Sequence, residues 1–166
     1  MKLVVPAETR SGERRVAVVP DLVGKMKNLG LDVVVESGAG IESGATDAAY
    51  IAAGATITKK IAAEMKTADI AATVRPLVPA QTKNLKKGAV TISFLSPSTD
   101  KANIKALASA GATSLSFELV PRISRAQSMD ALTSQALCAG YRASLVAAEL
   151  LPKFFPMLMT AAGTVQ

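Results

Sequence analysis

Runs of adjacent apolar, often β-branched residues alternate along this chain with segments whose apolar positions recur every three or four residues. Residues 2–6 (KLVVP), 32–36 (DVVVE), 69–75 (DIAATVR), 89–95 (AVTISFL) and 113–119 (TSLSFEL) read as strands. In 32–36 the apolar positions are consecutive, as in a strand covered on both faces. Helices are predicted between them. Residues 20–30 place Leu22, Met26 and Leu29 on one face, with Gly30 as the stop. Thr46 opens a short helix that Gly54 closes. Residues 79–88 have Pro79 near the start and Gly88 beyond the end. Residues 98–111 start at a Ser98 or Thr99 cap and turn Ile104, Leu107 and Ala108 inward. This alternation predicts an α/β fold: a parallel, Rossmann-like (flavodoxin-like) sheet with helices on both faces. Such sheets present ligand-facing residues on loops after the strand C-termini. Three loops qualify here: 7–15, 75–79 and 120–127.

The pattern changes near Ser128. Residues 128–151 read as one helix of 24 residues, which at about 1.5 Å per residue spans roughly 36 Å. Ala136, Gly140, Ala143 and Ala147 give it a small-residue face that a second helix could approach closely. The apolar stretch 143–166 is interrupted by Glu149, Pro152, Lys153 and Pro156, so it does not make a membrane span, which needs about 20 largely apolar residues. Residues 152–166 read as the entry to a second domain, or else as a C-terminal tail packed on the same one.

Composition narrows the chemistry. Hydrophobic residues make up 49% of the chain but aromatics only 4%, with no Trp, so the core is aliphatic. The net charge of +6 comes from scattered lysines (Lys25, Lys27, Lys59, Lys60, Lys83, Lys86, Lys87, Lys101, Lys105) without an arginine block or interleaved aromatics. That pattern argues against a nucleic-acid partner. The chain has no histidine, which removes the commonest general base and the commonest metal ligand. Its one cysteine, Cys138, forms no internal disulfide and fits a reducing setting. No metal-ligand spacing occurs, so no metal site is expected.

Three stretches carry candidate chemistry. In 33–44 (VVVESGAGIESG) Gly38, Gly40 and Gly44 follow a strand, but a dinucleotide fingerprint would need its third glycine at Ser43. The helix also starts later, near Thr46, so the segment reads as a glycine-rich turn. Arg14 and Arg15 either hold a carboxylate or phosphate or pair with Glu8 or Glu13; Arg75, at a strand end, either faces the same crevice or is a turn residue. Arg122, Gln127, Asp130 and Thr133 combine a cation, an amide, a carboxylate and a hydroxyl. Asp130 suits the first turn of a helix beginning near Ser128, with Thr133 on its face; Ser128 could cap the same helix. Hydrogen-bonding groups without a base suit the holding of a neutral, amide-bearing ring while hydride moves.

The segments GERRVAVVP, DVVVESGAG, AAGATI, VPRISRAQSMDALTSQ, AGYRA and FPMLMTAAGTV, in this order, resemble the N-terminal part of the α subunit of proton-translocating NAD(P) transhydrogenases. That family lies within the alanine dehydrogenase/transhydrogenase superfamily. The resemblance implies an N-terminal lobe over 1–127, a connecting helix over 128–151, and at 152–166 the entry to an NAD-binding Rossmann lobe that lies beyond this chain. It implies that Arg122, Gln127 and Asp130 belong to a loop reaching the nicotinamide end of NAD(H). Arg122 and Thr133 would hold the carboxamide, and Asp130 would fix the loop. Thr133 stands where the family has serine, keeping the hydroxyl and adding a methyl. Gln127 would lie nearest the NADP(H) bound on the β-subunit domain, which makes Gln127 and Asp130 the residues closest to the chemistry.

The implied activity is hydride transfer from NADH to NADP⁺, coupled to proton translocation. The implied partners are the β-subunit NADP-binding domain, a second α subunit in a homodimer, and membrane-embedded proton-channel domains, at the cytoplasmic side of a bacterial inner membrane. The alternative within the superfamily is an alanine-dehydrogenase-like lobe. Those enzymes use a histidine acid/base together with an arginine and a lysine on the substrate carboxylate. Arg15 could match the arginine, but Arg75 stands where the lysine would be. Imine chemistry needs a proton shuttle, and this chain supplies no histidine for one. A non-catalytic α/β module that only binds a partner is the third reading.

Overall fold

The architecture comes from a computed structural model that describes residues 1–155 and 157–165. Pro156 and Gln166, both in the expected 152–166 entry segment, lie outside the described residues. Strand β1 (Lys2–Val5) shows how the sheet comes to be covered on both sides. Successive side chains of a strand point to opposite faces. Leu3 and Val5 therefore join one core, with Val33 and Val35 of β2 (Asp32–Glu36), Val23 of α1 (Pro20–Asn28) and Tyr50 of α2 (Asp47–Ala52). Val4 joins another, with Val34, Met65 of α3 (Ile61–Met65), Ala71 of β4 (Ile70–Ala72) and Leu107 of α5 (Lys101–Ser109). Two aliphatic cores on one sheet explain why 32–36 is apolar at consecutive positions.

The remaining strands of the sheet are β3 (Thr56–Thr58), β5 (Val90–Ser93) and β6 (Thr113–Ser116). All six pair in parallel, in the order β3-β2-β1-β4-β5-β6. Val4 lies opposite Val34 on one side and Ala71 on the other. This is the doubly wound Rossmann order; without the short edge strand β3 it reads 2-1-3-4-5, the flavodoxin order. Chain direction across the sheet reverses between β1 and β4, so the crevice for a ligand lies between the loops that leave those two strands.

Several elements differ in extent from expectation. β3 and α3 were not foreseen; each is five residues or shorter. The helix expected over 79–88 is only α4 (Pro79–Thr82). Beyond Thr82 the amides of Asn84 and Leu85 bond back three residues rather than four, and the Asn84 side chain donates to the Ala80 carbonyl at 2.8 Å. That local competition unwinds the helix. The cap of α5 is Asp100, whose carboxylate accepts from the Asn103 amide at 3.2 Å, and not Ser98 or Thr99. Thr46 caps α2 as expected.

By its contacts the chain forms two compact units, Met1–Pro121 and Arg122–Gln166. The second contains a 3₁₀ helix (Ser124–Met129), the long helix α6 (Ala131–Leu150), and an antiparallel hairpin of β7 (Leu158–Thr160) and β8 (Gly163–Val165). Leu137, Tyr141, Leu150, Phe154, Met157 and Met159 are all exposed there. Among the described residues no helix is long and apolar enough to cross a membrane.

Candidate functional site

The polar set at the head of α6 is organised by one carboxylate. The long helix begins at Ala131, three residues later than Ser128, and Asp130 is its N-cap. Asp130 accepts from the Thr133 amide at 3.1 Å and from the Thr133 hydroxyl at 2.6 Å. The cap satisfies an amide that the first turn would otherwise leave unbonded. These bonds, the hydroxyl's first, hold the Asp130 carboxyl below its usual range, with a smaller contribution from the Arg122 charge. Asp130 is thus ionised at neutral pH and acts as an acceptor only.

Arg122, Gln127 and Asp130 line a common pocket of about 370 Å³ with Ile123, Ser124 and Ala126. The 3₁₀ turn brings them together, with the Ala126 amide bonded to the Ile123 carbonyl at 2.9 Å. Ala126 is the one residue of 122–130 that is buried, whereas Arg122 and Gln127 are exposed. The pocket therefore offers a guanidinium donor, an amide that can donate or accept, and a carboxylate acceptor. Thr133 is joined to it through Asp130. Because the Thr133 proton is committed to Asp130, its oxygen faces any further partner as an acceptor.

A second polar cluster sits at the reversal point of the sheet. The Glu8 carboxylate, after β1, accepts from the amides of Val74 at 2.6 Å and Arg75 at 3.2 Å, after β4. Burial pushes the Glu8 carboxyl up, against the two amide bonds that pull it down. Glu13 grips Arg15 with both oxygens, at 2.7 Å to Nε and 2.6 Å to Nη2. The Arg15 fork holds the Glu13 carboxyl down and Glu13 in turn keeps Arg15 charged. Of the two options open for Arg15, the structure shows an internal pairing, with Glu13. Its guanidinium carbon also lies 6.0 Å from the Phe94 ring centre. Arg14 pairs with Glu42 at 3.2 Å on an open surface. Arg75 lines a pocket of about 480 Å³ with Arg10, Ser11, Gly12 and Glu13, so it does face this crevice.

In the glycine-rich turn the Gly38 amide is already engaged by a carboxylate. The Gly38 amide donates to the Asp47 carboxylate at 2.8 Å, and the Ser37 hydroxyl donates to its other oxygen at 2.7 Å. The Gly38 amide bond, then the Ser37 hydroxyl, holds the Asp47 carboxyl below its usual range. Asp47 was not singled out from sequence, although an acid just inside a helix start is a usable signal. Glu8, considered from sequence only as an arginine partner, instead accepts from two backbone amides, and Glu118 was not singled out. Glu118 ties together loop amides at Leu95 and Ser96, at 2.9 and 2.8 Å. Apart from the Ser116 hydroxyl that donates to Glu118, their partners are backbone amides far along the chain, which no sequence neighbour announces. Among the described residues no group of His, Cys, Asp or Glu could hold a metal ion.

Comparison with known proteins fits this picture. The family model described as "Alanine dehydrogenase/PNT, N-terminal domain" matches residues 4–139. The first part of the NAD(P) transhydrogenase subunit alpha of Rhodospirillum rubrum is 45% identical over 170 residues, covering 99% of this chain and 44% of its own length. An alanine dehydrogenase of Mycobacterium tuberculosis is 32% identical over 120 residues, covering 72% of this chain and 32% of its own length. A crystal structure of transhydrogenase from Sinorhizobium meliloti superposes with a TM-score of 0.90 at 44% identity, over 99% of this chain and 49% of that one. The chain spans less than half the length of these relatives.

Proposed function

The chain belongs to the alanine dehydrogenase/transhydrogenase N-terminal domain family, and from that premise we propose that it is the N-terminal lobe of an NAD(P) transhydrogenase α subunit, with Arg122, Gln127, Asp130 and Thr133 steadying the nicotinamide end of NAD(H). The observation that carries this reading is the donor and acceptor pattern at the head of α6. A carboxamide has one acceptor oxygen and one donor NH₂. Arg122 can only donate, and the Thr133 oxygen, with its proton spent on Asp130, can only accept. The carboxamide oxygen accordingly turns to Arg122 and its NH₂ to Thr133. No group in the set takes or gives a proton, which suits hydride transfer between two nicotinamide rings.

In this reading NAD(H) supplies the hydride chemistry, and the lobe's own residues supply orientation. Gln127, exposed on the 3₁₀ turn, faces the NADP(H) carried by a β-subunit domain. Residues 1–127 form the lobe, 128–151 the connection that carries α6, and 152–166 the approach to an NAD-binding lobe. The exposed apolar side chains of α6, with Phe154, Phe155, Met157 and Met159 beyond it, suit contact with such a lobe. The assembled enzyme transfers hydride from NADH to NADP⁺, drives protons through membrane-embedded partner domains, is built on an α-subunit dimer, and lies at the cytoplasmic side of the bacterial inner membrane.

Replacing Arg122 with alanine in an assembled α–β enzyme tests this. Losing a charged hydrogen bond to the carboxamide costs about 1.5–3 kcal/mol, which slows hydride transfer by roughly one to two orders of magnitude. NADH binding is expected to weaken much less. An unchanged transfer rate removes Arg122 from the site. Turnover of pyruvate, ammonia and NADH by the same enzyme would instead favour the alanine-dehydrogenase reading.

A further inference from the structure

Between α4 and α5, sharing no residue with either polar cluster, lies a pocket of about 580 Å³ whose lining includes Lys83, Leu85, Lys87, Ala106, Ala110 and Gly111. That volume falls in the range of small-molecule sites. Its polar side chains are those of Thr82, Lys83, Lys87 and Ser109. The Thr82 hydroxyl is spent on the Val78 carbonyl at 3.3 Å. Lys86 turns to Asp69 at 2.6 Å, while its neighbour Lys87 lies along the pocket, its stem 3.4 Å from where a Cβ on Gly111 would sit. Among the described residues the Lys83 and Lys87 ammoniums make no hydrogen bond or ion pair. No carboxylate lines the pocket.

Lys87 is not needed to cap α5. The carbonyls of Ala106, Leu107 and Ala108 already accept from the amides of Ala110, Ala112 and Gly111. The Gly88 amide donates to the Gly111 carbonyl at 3.1 Å, so the floor is fixed by backbone. The result is a concave site with aliphatic walls from Pro79, Leu85, Ala106 and Ala110 and two unpaired cations at its mouth.

We propose that this pocket binds a small amphiphilic anion: a flat or short-chain apolar body carrying one carboxylate, phosphate or sulfonate. The apolar body displaces water from the aliphatic walls, and the anionic head meets Lys83 and Lys87. The site shares no residue with the nicotinamide loop, so its occupancy does not depend on the function proposed above.

Titrating the ¹⁵N-labelled full chain with naphthalene-2-sulfonate tests it. Saturable shifts are expected at the Ser109, Gly111 and Lys83 amides. The pair Lys83→Gln/Lys87→Gln should weaken binding about threefold or more, since each exposed ammonium contributes a modest attraction. Ala106→Phe, which fills the cavity, should abolish it. Lys101→Gln/Lys105→Gln, on the same helix but outside the pocket, should leave it unchanged. Inorganic phosphate should move none of these amides. Circular dichroism checks that each variant folds. The proposal is overturned if those amides do not saturate, if the Lys83/Lys87 pair weakens binding less than threefold, if Ala106→Phe still binds, or if phosphate alone reproduces the shifts.

Discussion

Gly40→Ala separates two roles for the glycine-rich turn that follows β2. Gly40 has an ordinary right-handed backbone, φ −95° and ψ −6°. Alanine is therefore allowed there, and reduced freedom of the unfolded chain would by itself stabilise the protein by about 0.4–1 kcal/mol. The space is the obstacle. A Cβ would lie 2.7 Å from the Ala45 carbonyl oxygen, 2.7 Å from Tyr50 Cε2 and 2.8 Å from the Tyr50 hydroxyl. Neither neighbour can give way cheaply. The turn around Ala45 is fixed by the bond from its amide to the Gly40 carbonyl at 2.9 Å. Tyr50 is fully buried and donates to the Val18 carbonyl at 2.7 Å. Overpacking of this kind costs about 1–3 kcal/mol, and displacing the tyrosine hydroxyl adds about another 1 kcal/mol. The clash outweighs the entropy gain, leaving a net loss of about 1–3 kcal/mol. With a urea slope of about 1–3 kcal/mol per molar, the midpoint falls by roughly 1 M. Urea unfolding followed by circular dichroism and tyrosine emission measures this. In an assembled enzyme the KM for NADH should stay the same, because the turn holds Asp47 and not a phosphate. Equal or higher stability of Gly40→Ala, or a large rise in the KM for NADH, would refute the packing role.

Other outcomes follow from the same contacts. Thr133→Val removes the oxygen that accepts from the carboxamide and should slow hydride transfer about tenfold or more, whereas Thr133→Ser should restore the rate; transfer kinetics of the two variants decide this. Asp47, Asp69 and Asp130 all have carboxyls held below their usual range, by the Gly38 amide, the Lys86 ammonium and the Thr133 hydroxyl respectively. Their contribution to stability is present above the unfolded pKa and is lost as pH falls through the folded one, so stability should decline from about pH 4 downward. Asp130→Asn should flatten the share of that decline seen in the helicity of α6, in an acid titration by circular dichroism. The 166-residue chain alone should bind NADH with a Kd of about 1 mM or weaker, because its glycine-rich turn already holds Asp47; saturable micromolar binding in calorimetry would contradict this.

The strands that were legible from sequence are those rich in adjacent aliphatic residues. β1 and β2 declare themselves because both faces need apolar side chains, and β5 because Val90, Thr91 and Ile92 are β-branched in succession. β3 escaped because Thr56–Thr58 is only three residues long, too short to set up a pattern although all three are β-branched. α4 was overread because the Pro79 start and Gly88 end were both present, while the break between them is made by an asparagine side chain that periodicity does not weigh. At the candidate site the residues themselves suggested only helix-start chemistry or a base-free grip. Their assignment to nicotinamide came from resemblance of the whole segment to a family. What no pattern disclosed is the set of carboxylates that hold distant loops by their amides, Glu8 on Val74 and Arg75 and Glu118 on Leu95 and Ser96. Those pairings span 22 to 67 residues and exist only once the sheet has formed.

The place of β1 in the sheet has a consequence for how the protein is made. Of the six strands of this sheet the earliest in the chain is a central one, flanked by Asp32–Val35 on one side and Ile70–Ala71 on the other. At roughly 5–20 residues per second, several seconds separate the emergence of Val4 from that of its second neighbour. During that interval a tract of bare valines has only half its ladder, and a holding chaperone or rapid pairing with β2 must keep it from other nascent chains.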